Sequence, residues 1–203
     1  MSLPEVDIII PCYNVEHSIE KCVKSILRQS VIENRVSLFL INDGSTDRTE
    51  KIINKYNEFN NINILHQLSN KGLSAARNLG IQSGSGQIII FLDGDMVVSE
   101  GWLEGHLSEI DQPGVVGVLG IIKPFNEENS RLNRYLYHKK RGAGKFGQKT
   151  EIPFQNFLFG NTSIWRSTIM KSGLFDERII KYGGEDTDLA LRIFEYFPRG
   201  LRY

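Results

Sequence analysis

The sequence predicts an α/β fold, a mostly parallel central sheet with helices on both faces. Apolar runs alternate with helical patterns, which implies βαβ units. The runs Ile8-Ile9-Ile10, Leu38-Phe39-Leu40-Ile41 and Ile88-Ile89-Ile90-Phe91-Leu92 are continuously apolar, as expected of strands covered on both sides. Polar clusters follow these runs, at the carboxyl ends of strands where open α/β sheets bind ligands.

The first strand is expected over Val6 to Pro11, followed by a helix from Ser18 to Ser30. The next pairs are Val36 to Ile41 with Asp47 to Phe59, Ile62 to Leu65 with Ser74 to Ser83, and Ile88 to Leu92 with Trp102 to Ile110. Asp47-Arg48-Thr49-Glu50 has capping-box spacing, in which Asp47 and Glu50 each reach an orphan backbone donor. Beyond Ile110 the alternation weakens. A strand through Val115 to Ile122, a helix from Asn129 to Lys140, a mobile basic loop from Arg141 to Lys149, a strand through Phe157 to Trp165 and a helix from Asp186 to Phe197 are expected.

At 203 residues the chain has the size of one domain with a sizeable core. Lys plus Arg and Asp plus Glu number 24 each, so the formal net charge is +0 and the basic footprint of a nucleic-acid binder is missing. Small molecules or neutral surfaces are the expected partners, and nucleic acid is not. Cys12 and Cys22 are too few for a disulfide scaffold and fit a reducing compartment. No run approaches the roughly 20 apolar residues of a membrane span, and Met1 to Glu5 lacks the basic flank of a signal peptide. A cytoplasmic domain is expected.

The strand ends carry the chemistry. Asp93-Gly94-Asp95 sets two carboxylates about a glycine, a place to hold a hard divalent cation, or a plain strand-end turn. Asp43 contacts a ligand or forms an Asx-turn, whereas Asp47 is read as a helix cap. Tyr13 lays its ring on a planar base or packs at the rim. Lys71 and Arg77 flank a helix start that welcomes anions and face a diphosphate; the alternatives are a solvated lysine and an arginine paired with a carboxylate. Gly183-Gly184-Glu185-Asp186 offers adjacent carboxylates, one to cap the last helix and one to act as a general base. No Gly-x-Gly-x-x-Gly follows the first strand, and no P-loop pattern occurs.

In order along the chain, Pro11-Cys12-Tyr13-Asn14, Asn42-Asp43-Gly44-Ser45-Thr46-Asp47, Lys71-Gly72-Leu73-Ser74-Ala75-Ala76-Arg77-Asn78, Asp93-Gly94-Asp95 and Gly183-Gly184-Glu185-Asp186 resemble the family-2 glycosyltransferases of GT-A fold. The resemblance runs from Val6 to about Phe197. It implies a single catalytic domain with a Rossmann-like nucleotide-binding half, about 1–110, and an acceptor-side half, about 111–203. It further implies an inverting transferase that moves a sugar from a nucleoside-diphosphate sugar, commonly a UDP-sugar, to a hydroxyl of a glycan or glycolipid.

Carried over to this chain, Pro11, Tyr13 and Asn14 form the nucleoside-contacting segment and Asp43 reads the base. Lys71 and Arg77 face the diphosphate. Asp93 and Asp95 contact the ribose and a Mn²⁺ or Mg²⁺, Asn161 lines the donor-sugar pocket, and Asp186 is the base with Glu185 as the nearby alternative. A Gln-x-x-Arg-Trp motif is missing, so the enzyme is nonprocessive or continues beyond this chain. A peripheral contact with the inner face of a membrane through a segment outside this chain stays open. The weighed alternatives are a catalytically silent nucleotide-sugar-binding scaffold and a nucleotidyltransferase.

Overall fold

The computed structural model describes residues 4–29, 35–124, 143–147, 150–179 and 184–203. The helix expected over 129–140 lies outside them, as do Gly183 and the two ends, 141–142 and 148–149, of the loop expected over 141–149.

The described strands are β1 (Val6–Cys12), β2 (Val36–Asp43), β3 (Ile62–Gln67), β4 (Ile88–Leu92), β5 (Gly117–Leu119), β6 (Asn161–Trp165) and β7 (Leu201–Arg202). The helices are α1 (Ile19–Leu27), α2 (Thr49–Ile53), α3 (Leu73–Ser83), α4 (Trp102–Ile110), α5 (Arg166–Ser172) and α6 (Gly184–Tyr196). They build one sheet of order β3-β2-β1-β4-β6-β5-β7. β1 is parallel to β2 and β4, β2 to β3, and β5 to β7, whereas β6 runs antiparallel to β4 and β5. The sheet is therefore mixed where β6 joins it.

The two-residue period of a strand sorts the apolar runs between two cores. Ile8, Ile10, Leu38, Leu40, Ile88 and Ile90 face α1, α2 and α4. Ile9, Phe39, Ile41, Ile89 and Phe91 face α3, α5 and α6. A run apolar at every position is what such a sandwich requires. The strand order also positions the site: the chain leaves β1 toward β2 and β3, then crosses to β4 on β1's other side. β1 and β4 thus flank a topological switch point, and their carboxyl ends open a crevice there.

Two expected details differ. Asp47 accepts the Thr49 N–H at 2.9 Å and the Glu16 N–H at 3.1 Å, but Glu50 does not close a capping box; its carboxylate takes the Asn42 amide at 3.4 Å. Gly94 does not serve by conformational freedom, since its φ is not positive; a side chain there would press on the Pro11 carbonyl at 3.2 Å.

Candidate active site

The switch point holds a cavity of about 310 Å³ lined by Pro11, Tyr13, Asp43, Gly72, Asp93 and Asp95, among others. A larger depression of about 710 Å³ sits around Glu5, Asp7 and Arg35 at the amino ends of the strands, away from these acids.

Tyr13 stands 46% exposed at the cavity rim, beside Pro11. Asn14 has φ of 52°, a left-handed conformation that asparagine tolerates, and ties loops together: its Oδ1 accepts the Thr46 N–H at 2.8 Å while its own N–H donates to Ser45 Oγ. Asn14 holds the β1 and β2 loops side by side, where sequence reading makes it a nucleoside contact.

Asp43 is 3% exposed, and its two oxygens accept the Lys71 N–H at 2.7 Å and the Gly72 N–H at 2.9 Å. Gly44 makes this possible. It sits at φ of 65°, and a Cβ there would meet the Ser69 carbonyl carbon at 2.4 Å, so only glycine lets the β3–α3 loop come in to cover Asp43. Lys71 thus meets Asp43 through its backbone, and its side chain is exposed.

Asp93 and Asp95 follow β4. Asp95 is exposed, whereas Asp93 is half-buried and held above the usual carboxylate range, first by burial and then by the charges of Asp95 and Asp186 working against Arg77. Gly160 shapes this pocket: a Cβ there would meet Asp93 Oδ2 at 2.5 Å. Beneath lies the Cys22 thiol, pushed up to about 12 by burial and by Asp95 and Asp93, hence neutral.

Arg77 is 1% exposed and pairs with carboxylates, so it is not an open diphosphate clamp in this structure. Its Nη1 donates to Asp186 Oδ1 at 2.7 Å and its Nη2 to Asp93 Oδ1 at 3.4 Å, with the guanidinium against the rings of Phe91 and Phe175. Asp186 Oδ2 accepts the Phe159 N–H at 3.2 Å. Glu185 is buried too, and its Oε2 has no partner. Asp93 and Asp186, from opposite halves of the chain, are therefore two ends of one ion-pair bridge.

Asn161 stands apart from this cavity. It is 4% exposed and does not line the cavity; its Oδ1 accepts Trp102 Nε1–H at 2.9 Å and contacts His106 Nε2 at 3.1 Å, and its amide donates to Ile121 O. Asn161 fastens α4 to β6. His106 lies between Asn161 and Ser163 Oγ, and burial lowers its pKa to about 4, so it is neutral, donating from Nε2 to Asn161 Oδ1 and accepting from Ser163 at Nδ1. Sequence reading missed His106 and the Phe159 N–H. Neither sits in a local pattern, and only the Gly160-Asn161 pair marks the segment.

The acids suit a hard divalent cation. Asp93 is a carboxylate whose charge burial and like-charged neighbours disfavour, and a cation would relieve it. No group of His, Cys, Asp and Glu large enough for an all-protein metal cage occurs among the described residues. Asp93 and Asp95 with diphosphate oxygens and water is the ligand set that Mg²⁺-type ions accept.

The chain is similar to known proteins over most of its length. The glycosyltransferase GlyA of Streptococcus pneumoniae is 32% identical over 197 residues, covering 94% of this chain and 28% of its own. TarS 1–349 of S. aureus in complex with UDP-GlcNAc superposes with a TM-score of 0.78 at 18% identity, covering 98% of this chain and 55% of its own. The Pyrobaculum calidifontis mannosyltransferase PcManGT in complex with GDP-Man and Mn²⁺ gives 0.78 at 20% identity, covering 100% of this chain and 55% of its own. The chain thus spans little over half of those structures, and 38%, 31% and 28% of the length of AglE of Haloferax volcanii, EpsJ of Bacillus subtilis and GlyA. The fold is of GT-A type. With the family model for glycosyl transferase family 2 matching residues 7–170, this chain belongs to that family.

Proposed function

We propose that this chain carries the donor site and base of an inverting glycosyltransferase, which moves a hexosyl or N-acetylhexosaminyl group from a nucleoside-diphosphate sugar, a UDP-sugar first, to a hydroxyl of a glycan or glycolipid. The carrying observation is the bridge Asp93–Arg77–Asp186, which joins a carboxylate of the switch-point cavity to a second carboxylate from α6. The nucleotides named with TarS and PcManGT support the donor class, and the Mn²⁺ named with PcManGT supports the metal.

In this reading Tyr13 stacks on the base, and Asp43 reads it while fixing the β3–α3 loop. Asp93 and Asp95 would hold Mn²⁺ or Mg²⁺, whose charge would offset that of the diphosphate. Asp186 takes the proton of the acceptor hydroxyl as its oxygen attacks the anomeric carbon. The bond from that carbon to the diphosphate oxygen breaks on the opposite face, so one base suffices and the configuration inverts. Both Asp186 oxygens accept hydrogen bonds, yet a carboxylate offers about four lone-pair sites, which leaves room for the proton. We place the reaction at the cytoplasmic side.

Asp186→Asn tests the reading. Metal-dependent nucleotide affinity should stay within about threefold while transfer falls roughly 10²-fold or more. Wild-type transfer by that variant, over a screen of UDP- and GDP-sugars, would move the base elsewhere, first to Glu185.

A further inference from the structure

Arg166 and Arg192 show what a fastening arginine does in this fold. Arg166 donates from Nε to Gly86 O and from Nη1 to Ile81 O, each at 2.6 Å, with Asp7 as its carboxylate. Arg192 donates to Ser172 O at 2.6 Å and Leu174 O at 2.8 Å beside Asp188. Arg77 differs. Among the described residues it donates to no backbone carbonyl, its buried Nε is left without a partner, and its two Nη groups go to carboxylates following β4 and in α6.

We propose that Arg77 is a positioning residue for glycosyl transfer, a buried shared counter-ion that fixes the Asp186 carboxylate relative to Asp93. The inference rests on the glycosyl-transfer reading and deepens it. Arg77 Nη1 holds Oδ1 of Asp186 and the Phe159 N–H holds Oδ2, so rotation of the carboxylate is stopped from both sides. Arg77 is itself seated by the ring of Phe175, 5.2 Å from its guanidinium carbon, and Asn78 fixes Phe175 by accepting its N–H at 3.0 Å and donating to its carbonyl at 2.9 Å. Asn78, Phe175, Arg77 and Asp186 thus form one continuous support. Misplacing a base by about 1 Å costs on the order of 10²-fold in rate. Lysine keeps the charge, but a single ammonium lacks the planar fork that spans two carboxylates.

A kinetic cycle of Arg77→Lys, Asp186→Asn and the double variant, with calorimetric titration of UDP and Mn²⁺ on each, tests this. Arg77→Lys should lower kcat at least about tenfold, with donor KM and metal-dependent UDP affinity within about threefold of wild type. In the Asp186→Asn background the same change should cost less than about threefold, because Arg77 acts through Asp186. Equal losses in both backgrounds, or a fall in UDP affinity matching the fall in kcat, would overturn the proposal. If Arg77→Lys does not fold, Arg77→Met/Asp186→Asn removes both buried charges together and is compared with Asp186→Asn alone. Equal rates there support the proposal and a further large loss contradicts it. Absence of transfer by the wild-type chain would overturn the glycosyl-transfer reading and this inference with it, whereas an active wild type with an additive cycle would overturn only this inference.

Discussion

Tyr13 and Asp95 reach the cavity by local geometry alone. One is an aromatic just beyond a strand end and the other an acid just beyond a glycine, and both line the crevice between β1 and β4. Tyr13→Ala should weaken nucleotide binding by roughly tenfold or more, the scale of base stacking, with thermal unfolding nearly unchanged because the ring is half exposed. Arg77, Asn14 and Asn161 were legible only as residue types, since their partners are set by tertiary structure. Arg77 meets Asp186 across a separation of 109 residues and Asn161 meets Trp102 across 59.

His106 gives the residue scale a pH signature. Its pKa lies at about 4 in the folded chain against an ordinary 6.5, so between these values the unfolded chain binds more protons. Its contribution to stability is therefore fully present above about pH 6.5 and is lost as pH falls toward 4. The loss amounts to about 3 kcal/mol at most. His106→Gln should flatten the fall of melting temperature over that window relative to wild type. Parallel profiles would show that His106 is not the group that titrates.

At the scale of elements, the strands were readable because a run apolar on both faces has few other places to go, and the β1, β2 and β4 starts coincide with expectation. The direction of β6 was not readable, because pairing sense is chosen by the connection and not by the residues. Short α5 and β7 were missed for a related reason: too few residues to show a period, and stability that comes from packing. The capping box does not form: the Glu50 carboxylate takes the Asn42 amide, and the helix starts one residue later than the spacing implied, with Arg48 as its N-cap.

Two glycines test the element scale together. Gly160→Ala places a Cβ where Asp93 Oδ2 lies and should cost about 1–3 kcal/mol. It should also weaken metal-dependent nucleotide binding, read by calorimetry. Gly105→Ala, exposed in α4 with nothing near its added Cβ, should stabilise by about 0.5–1 kcal/mol and leave binding alone. Equal nucleotide affinity in both variants would remove Gly160 from the donor pocket.

Across the whole molecule, one feature of topology assembles the site. The reversal between β1 and β4 opens the crevice, the parallel half supplies Tyr13, Asp43, Asp93 and Asp95, and the mixed half folds back to supply Phe159 and Asp186. Arg77, from the helix between β3 and β4, binds the two halves through paired charge. A net charge of +0 fits a molecule without a single-sign surface field. No helix among the described residues is long and apolar enough to cross a membrane.

Calorimetric titration of the chain with UDP and with GDP, each with and without Mn²⁺, in wild type and Asp95→Ala, tests the central claim most directly. Manganese-dependent binding of UDP that Asp95→Ala abolishes, with melting temperature preserved, is the predicted result. Nucleotide binding that is indifferent to both the metal and Asp95, or absent altogether, would contradict the placement of the donor site at the β1–β4 switch point.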